Sequence, residues 1–440
     1  MKNILIIILI VSSLNIYSQD NRLIFPRRIQ LNESTTPLND SISHVVNIKR
    51  TNLQKYDNYS IEFGEHNFVV DKIQLIDRGI NGYGFWGEDT SNYNSVYLSI
   101  INDRISGFIN VENEKYKIMT LDDGQYLITT IKNPPLNMAN DVLELNEFDK
   151  DSISSITRGV EKHKTIRILV LFTSNSGDPK IVFEDIISTI DFTNQTFINS
   201  SINAKVELAY LGKTDYNAIP IDSANLHLNR FNAKNDGYID EVHDLRDLVH
   251  ADVCALIYHM SGFSIGGMAN QNTPYSTSPD KAFMVVNRDY IDSYSNIFPH
   301  ELGHIVGCNH IDSYQYSGPS FNFQTIMTEG GYGYKAIPYW SNPGVTYEGV
   351  ATGTSTKNSA NIWSINYDAI LDFRIVPDHL ILSSSPVSNS FFYQFRGNET
   401  ITVNQNFSIS AEKTVVLKSK EITLGDNFSV AVNGSLELSQ

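Results

Sequence analysis

The sequence predicts a multidomain chain whose central part is an α/β domain with a mixed, mostly parallel sheet and one helix that carries clustered histidines. Three observations predict this fold. Continuous apolar runs alternate with helical patterns after residue 164, a dense histidine motif follows the last of these runs, and the flanking regions show only strand patterns. A chain of 440 residues is also too long for one typical core.

The N-terminus is typical of a signal peptide. Residues 1–3 are a short basic start, residues 4–11 form an apolar run, and Ser18 precedes a polar stretch. An N-terminal membrane anchor is the alternative, but the run is shorter than the roughly 20 apolar residues that span a bilayer. Residues 1–18 are therefore predicted to be a signal peptide and the protein to be secreted and extracellular, with no later membrane span.

The charge of the chain argues against a nucleic-acid partner. Its 33 basic and 49 acidic residues give a formal charge of -16. A surplus of negative charge repels phosphate backbones and anionic lipid. No nucleic acid is expected to bind.

Residues 19–163 predict a separate β-rich region. They are polar and rich in Asn and Asp, with short alternating runs at 96–100 and 126–131 that indicate strands. The segment from Asp149 to Lys164 is charged and weakly hydrophobic. It is predicted to be an exposed linker and a site of proteolytic cleavage.

Residues 164–376 alternate between strand and helix patterns. The run from Ile166 to Phe172 is nearly continuously apolar, as in a strand that is buried on both faces. Because strands that alternate with helices form mostly parallel sheets, this region is predicted to be the α/β domain. The other predicted elements are a helical face over 183–197, a strand over 206–210, a helix over 239–248 and strands over 253–258 and 282–286.

Residues 377–440 predict a small β repeat domain. Apolar and Asn-Phe positions recur at one fixed offset, since 428 - 407 = 21 for the two phenylalanines and the flanking strand patterns share that offset. A fixed period with alternating apolar residues indicates two stacked β units.

The histidine motif predicts a metal site on a helix. His300 and His304 are four residues apart, so their imidazoles lie one turn apart on the same face and can bind one ion. Gly307 is expected to end the helix, because glycine adopts the left-handed conformation at low cost. Pro299 is tolerated only in the first helical turn, so the helix is expected to begin close to Asn296 or to be kinked there.

The residues around this pair predict a catalytic site rather than a structural one. The turn after Gly307 can bring His310 in as the third ligand, which leaves the fourth position of a tetrahedral Zn²⁺ open to water. Glu301 points to one side of the pair and can take a proton from that water as a general base. Ordinary surface histidines on a helix are the alternative, but five specified residues within eleven positions rarely arise by chance.

This pattern resembles that of the metzincin metallopeptidases, in which a methionine turn follows the third histidine. Residues 326–328 fit that turn, so the resemblance implies that Met327 lies beneath the metal ligands without binding metal. Residues 337–343 and the helical pattern over 361–373 are similar to the closing segment of the reprolysin-like, or adamalysin-like, branch. The resemblance implies a secreted, zinc-dependent endopeptidase that hydrolyses protein or peptide substrates.

The same resemblance implies roles for two other segments. Residues 19–163 are similar to the propeptides of this branch, which implies a zymogen. Residues 266–269 resemble the edge strand that binds an extended substrate by β-augmentation, although a flexible glycine-containing loop explains them equally well. The propeptide has no cysteine to block the metal, so latency would need an oxygen or imidazole ligand, for which the candidates are Asp141, Glu144, Asp149 and His163.

The two cysteines of the chain, Cys254 and Cys308, predict a disulfide. An even pair in a protein that enters an oxidising compartment can be bridged. In the metzincin fold the active-site helix packs against the sheet, and a bridge there would hold the turn that carries His310. Two unpaired buried thiols are the alternative.

A non-catalytic adhesin is the competing functional hypothesis. In that case the α/β domain and the C-terminal β repeats would serve only to bind a surface or a partner. Glu301 favours the enzyme, because a binding module has no need for a base beside zinc. A structural zinc protein is disfavoured by the open fourth coordination position.

Overall fold

The computed structural model describes most of the chain after residue 164 and separate stretches before it. The chain forms two compact units, the first made of Met1–Pro134 with Glu184–Asp191 and the second of Pro135–Phe183 with Phe192–Gln440. In the described stretches no helix is long and apolar enough to cross a membrane. These stretches are residues 9–11, 22–24, 43–46, 58–63, 66–77, 82–89, 94–101, 104–111, 114–121, 126–131, 142–143, 165–217, 223–259, 265–291, 296–330, 333–383, 385–386 and 389–439.

The first unit contains a ten-stranded sheet that is antiparallel apart from one parallel pair. Alternating apolar residues form its strands, because successive side chains of a strand point to opposite faces. Ile61, Val96 and Ile118 are among the residues that form its apolar core. The strands are β1 (Leu9–Val11), β2 (Arg22–Ile24), β3 (Ser43–Val46), β4 (Asn58–Phe63), β5 (His66–Asp77), β6 (Gly82–Asp89), β7 (Asn94–Ile101), β8 (Arg104–Val111), β9 (Glu114–Thr120) and β10 (Tyr126–Thr130), in the order β1-β2-β4-β5-β6-β7-β8-β9-β10-β3.

The second unit is built on a mixed sheet. Its first six strands are β11 (Val142–Leu143), β12 (Ile166–Phe172), β13 (Val206–Lys213), β14 (Val253–Tyr258), β15 (Gly267–Asn270) and β16 (Phe283–Asn287). β12 pairs in parallel with β13 and β14, and β14 pairs in parallel with β16. β15 is antiparallel to β16 and pairs on its other side with β11. Every residue of β12, β14 and β16 is buried, so the predicted mostly parallel α/β sheet is confirmed.

Three of the five α-helices in the described residues begin with a side chain that caps the helix. The five are α1 (Pro179–Asn199), α2 (Ala224–Asn232), α3 (Glu241–Leu248), α4 (Ile297–Val306) and α5 (Ser359–Ile370), and the three capped ones are α1, α2 and α5. Asp178 caps α1 by accepting a hydrogen bond from the Lys180 amide at 2.7 Å, and Pro179 occupies the first helical position, where its missing N–H costs nothing. Helix α2 was not predicted, because its nine residues make only a short apolar pattern.

Short strands connect α4 to α5. They are β17 (Gln315–Ser317), β18 (Asn322–Gln324), β19 (Lys335–Ala336), β20 (Thr346–Tyr347) and β21 (Val350–Ala351). The first three form a small sheet in which Tyr316 and Phe323 stack with their ring centroids 5.4 Å apart. This aromatic packing stabilises the segment between His310 and Met327.

The C-terminal residues form stacked β units with the period that the sequence shows. The strands are β22 (His379–Leu382), β23 (Ser390–Arg396), β24 (Thr400–Val403), β25 (Ser408–Ile409), β26 (Thr414–Lys418), β27 (Glu421–Leu424), β28 (Ser429–Val430) and β29 (Ser435–Ser439). Residues 21 apart are paired in parallel, as for Ile401 with Ile422 and Val415 with Leu436. Phe407 and Phe428 stack with centroids 6.0 Å apart. β22 and β23 add a further turn that the sequence repeat did not reveal.

The C-terminal strands continue the sheet of the α/β domain, because β23 pairs antiparallel with β13. One partly buried carboxylate stabilises this junction. Glu207 of β13 accepts hydrogen bonds from Arg167 at 2.7 Å, from Arg396 at 3.1 Å and from Lys418 at 3.2 Å. Burial alone would raise the pKa of Glu207, but the three cations together hold that pKa well below its ordinary value. The C-terminal repeats are thereby attached to the α/β domain within one compact unit.

Both cysteines are free thiols, so the predicted disulfide is wrong. Cys254 lies in the apolar cluster on one face of the sheet, together with Phe231 of α2 and Met268 of β15. Side chains of adjacent residues in a strand point to opposite faces of the sheet. Gly267, the residue before Met268, faces Glu301 of α4. The face that holds Met268 and Cys254 is therefore the one away from α4. Cys308 follows α4, and its thiol points to the Ser359 carbonyl at 3.7 Å. The sheet therefore separates the two thiols. Burial also raises the pKa of the Cys254 thiol to about 11.

Candidate metal centre and active site

Helix α4 begins and ends where the sequence predicts. Its N-cap is Asn296, in the left-handed conformation with φ of 56°, and Pro299 lies in the first turn. Gly307 caps its C-terminus with φ of 104°, and its amide donates to the Gly303 carbonyl at 3.0 Å. All ten residues of the helix are buried. A helix that is enclosed in this way holds its side chains in fixed directions.

The three predicted ligands converge at one point. His300 and His304 project from α4, and His310 lies on a short 3₁₀ turn over His310–Asp312. Their ligand atoms lie within 4.8 Å of one another. The Nε2 atom of His300 is 3.1 Å from Nε2 of His310 and 3.1 Å from Nε2 of His304. Tetrahedral zinc with Zn–N bonds of about 2.0–2.1 Å would separate such atoms by about 3.3 Å.

The hydrogen bonds of the Nδ1 atoms determine which nitrogen of each ring can bind a metal ion. Nδ1 of His300 lies 2.7 Å from the Ile326 carbonyl, and Nδ1 of His304 lies 3.0 Å from the Cys308 carbonyl. A carbonyl oxygen can only accept, so each Nδ1 carries the proton and each Nε2 presents a lone pair. Lone pairs that meet at 3.1 Å repel one another unless a cation lies between them. The donor set therefore fits a metal ion that prefers imidazole nitrogen, such as Zn²⁺.

Glu301 lies beside the ligands with its carboxylate against strand β15. Its side chain is fully buried. A Cβ atom built on Gly267 would lie 2.6 Å from the Glu301 Oε1 and 2.8 Å from its Cγ. Burial and the nearby Glu301 charge raise the pKa of the Tyr258 hydroxyl. The bare backbone at Gly267 thus leaves the space in which the Glu301 carboxylate sits.

The segment around Met327 lies beneath the ligand helix. Met327 is fully buried, and its sulfur and the Trp340 ring lie so close to Gly303 that no side chain fits on that glycine. The Ile326 carbonyl of the same segment accepts the hydrogen bond of His300. Met327 thus takes the supporting position that the sequence resemblance implies.

Two residues contribute to the site without any sequence pattern that marks them as site residues. Nδ1 of His310 lies 3.0 Å from the carboxylate of Glu329, which follows Met327 by two residues and which no sequence motif marks. Gly267 was identified only as part of an edge strand, and its contact with Glu301 depends on the fold. The candidate latency ligands Asp141, Glu144, Asp149 and His163 lie outside the described residues.

The α/β sheet, the buried helix with two histidines, the third histidine after a glycine and the methionine beneath them define a metzincin-like zinc metallopeptidase. Residues 162–341 match the family model of a reprolysin-type domain, described as metallo-peptidase family M12. Residues 162–341 therefore form a reprolysin-like metallopeptidase domain of family M12. This assignment disfavours the non-catalytic adhesin.

Curated relatives agree with this family. The chain is 25% identical over 284 residues to a peptidyl-Asp metalloendopeptidase of Xanthomonas campestris, covering 60% of this chain and 66% of the relative. It is 26% identical over 330 residues to a protein of the same name from Stenotrophomonas maltophilia, covering 68% and 73%. A solved structure, metalloproteinase-II from Bacteroides fragilis, is similar over 71% of this chain and 91% of that chain, with 12% identity and a TM-score of 0.44. That score is too low to bear on function.

Proposed function

We propose that this protein is a secreted zinc endopeptidase, made as a zymogen, in which Glu301 is the general base. The observation that carries the proposal is the geometry of the site. Nε2 of His300 lies 3.1 Å from Nε2 of His304 and 3.1 Å from Nε2 of His310, and the fully buried carboxylate of Glu301 lies at the adjacent position of the same helix. A purely structural zinc site would have four protein ligands and no carboxylate held beside them.

The residues of the site divide the chemistry between them. His300, His304 and His310 would hold the ion, which supplies Lewis-acid polarisation of the substrate carbonyl and acidifies water. Glu301 takes the proton of the attacking water, because it is the carboxylate that α4 holds beside the ligands. Close packing of Met327 against Gly303 fixes the position of helix α4 relative to the segment that carries Met327. The water oxygen bonds to the carbonyl carbon, the C–N bond breaks, and the proton that Glu301 accepted passes to the leaving amine nitrogen.

Strand β15 supports binding of an extended peptide. It lies directly beside Glu301 through Gly267, and on the side away from β16 it has backbone groups that β11 pairs with in the uncleaved chain and that a peptide could take over. A peptide bound there would add a strand to the sheet, which fixes its backbone while side chains select the sequence. Since two relatives are named for cleavage at Asp, an Asp preference is the first specificity to test. Peptides that differ only in Asp or Asn at the cleaved position measure it.

One strand of the N-terminal region supports the zymogen. β11 pairs in parallel with β15, with Val142 opposite Ala269 and Leu143 opposite Asn270. The same backbone groups of β15 cannot pair with β11 and with a substrate at once. Cleavage within about 149–164 would disconnect β11 from the α/β domain and open this strand to substrate.

The maturation proposal has a direct test. The secreted enzyme should be inactive until it is cut, and N-terminal sequencing of the active form should place the new terminus within about 149–164. Full activity of a chain that retains residues 20–160 would contradict the zymogen. A signal peptide over residues 1–18 predicts a further cut near Ser18.

The proposed catalytic role of Glu301 is tested by Glu301→Gln. This variant should keep its zinc, because the three imidazoles are untouched, and should lose nearly all hydrolysis, because the base is gone. His310→Ala should instead lose metal. Elemental analysis and cleavage of a generic protein substrate report the two properties separately. Substantial hydrolysis by Glu301→Gln would refute the role of Glu301 as the base.

A further inference from the structure

The three ligand histidines are held in two different ways. Nδ1 of His300 and of His304 each donate to a backbone carbonyl, and both rings are fully buried. Nδ1 of His310 meets a side chain, the Glu329 carboxylate, at 3.0 Å. The His310 side chain is 12% exposed and Glu329 is 53% exposed. The orientation of the His310 ring therefore depends on the Glu329 side chain, which a substitution can remove.

The packing around His310 explains why such a partner matters. α4 is buried along its whole length, so its two ligands share one rigid support. His310 instead lies on a three-residue 3₁₀ turn after the helix has ended at Gly307. A ring on a short, partly exposed turn has more rotational freedom than a ring on a buried helix. A hydrogen bond to the outer nitrogen limits that freedom and fixes the tautomer that binds metal.

The segment that carries Glu329 also serves the first ligand. Within Thr325–Gly330, the Ile326 carbonyl binds His300, Met327 packs beneath the helix, and Glu329 binds His310. The Thr328 amide donates to the Thr325 carbonyl at 3.2 Å, which closes the turn between them. One turn thus positions two ligands from different elements. Its carboxylate also places negative charge beside the His310 ring.

We propose that Glu329 is a positioning residue for the metal: it orients the His310 imidazole, keeps its Nδ1 protonated and so strengthens zinc binding at Nε2. Partners of this kind change metal affinity by about 10–100-fold when they are removed. Glu329 touches no substrate in this role. The inference rests on the zinc site proposed above.

The test is zinc affinity of the full chain, measured by competition with a chelator at one fixed pH. Glu329→Ala should weaken zinc binding by about 10–100-fold. Glu329→Gln keeps an oxygen that can accept from Nδ1 and loses only the charge, so it should fall between Glu329→Ala and the unmodified chain. The matched control is Asp289→Ala, which removes an exposed carboxylate 3.2 Å from His259, a histidine outside the ligand cluster. It should leave zinc affinity unchanged.

The metal-free protein separates positioning from stability. The thermal midpoint of metal-free Glu329→Ala should match that of the metal-free unmodified chain, because the Glu329 side chain is 53% exposed and an exposed charge contributes little to folding. Equal zinc affinity in Glu329→Ala and the unmodified chain would overturn the inference, as would a loss that Asp289→Ala shares. An unmodified chain that binds no zinc would instead refute the proposed function.

Discussion

Replacing Gly267 by alanine should lower catalysis without lowering metal content or stability. The new Cβ would lie 2.6 Å from the Glu301 Oε1, whereas ordinary contact begins at 3.4 Å. The difference between these two distances means that the carboxylate must move by about 0.8 Å. The three nearest atoms, Oε1, Cγ and Cδ, all belong to the Glu301 side chain, so the new methyl group meets the base and not the backbone of α4.

The expected effect on rate follows from that displacement. Misplacing a reacting group by about 1 Å costs on the order of 100-fold in rate, so kcat/KM should fall by about 10–100-fold. Zinc content should stay at the level of the unmodified enzyme, since Gly267 meets Glu301 and none of the three imidazoles within its nearest contacts.

The assay compares Gly267→Ala with Gly344→Ala, at which the nearest atom to a new Cβ is the Asn342 Oδ1 at 3.3 Å. Both variants undergo the same peptide assay, elemental analysis and thermal unfolding. Gly344→Ala should retain its activity. If Gly267→Ala keeps kcat/KM within about twofold, the contact with Glu301 does not set the position of the base, and a parallel loss of zinc would equally refute the reasoning.

Two further predictions concern stability and redox state. Glu207→Gln should lower the free energy of unfolding at pH 7 by about 3 kcal/mol, because Arg167 stays buried without its charged partner. The folded pKa of Glu207 is depressed, so its stabilisation is complete above the unfolded pKa of about 4.3 and is lost as the pH falls below it. Denaturation at several pH values should show that the free energies of unfolding of Glu207→Gln and of the unmodified protein converge in acid. The control is Glu399→Gln, at an exposed carboxylate, which should change the free energy of unfolding little. A difference between Glu207→Gln and the unmodified protein that persists unchanged in acid would contradict the charge argument. Thiol labelling of the denatured, non-reduced protein should find two free thiols, at Cys254 and Cys308. A disulfide between them would show that the two cysteines do not lie on opposite sides of the sheet.

The sequence alone is enough to predict features that depend on neighbouring residues in the chain. The spacing of His300 and His304 defines one helical face, and Gly307 marks the end of that helix. The apolar run of β12 indicates burial on both faces, and the constant offset of the C-terminal strands indicates stacking. Each of these patterns reflects a local geometric period, which a sequence displays directly.

Tertiary structure decided the contacts between residues that are distant in the chain. Glu329 reaches His310 across a turn, Gly267 makes room for Glu301 from another strand, and β23 joins β13. The disulfide prediction failed for the same reason, since only the packed sheet shows which face Cys254 occupies. Pairings of this kind depend on how whole elements pack, and no period or spacing in the sequence records which side chains then meet.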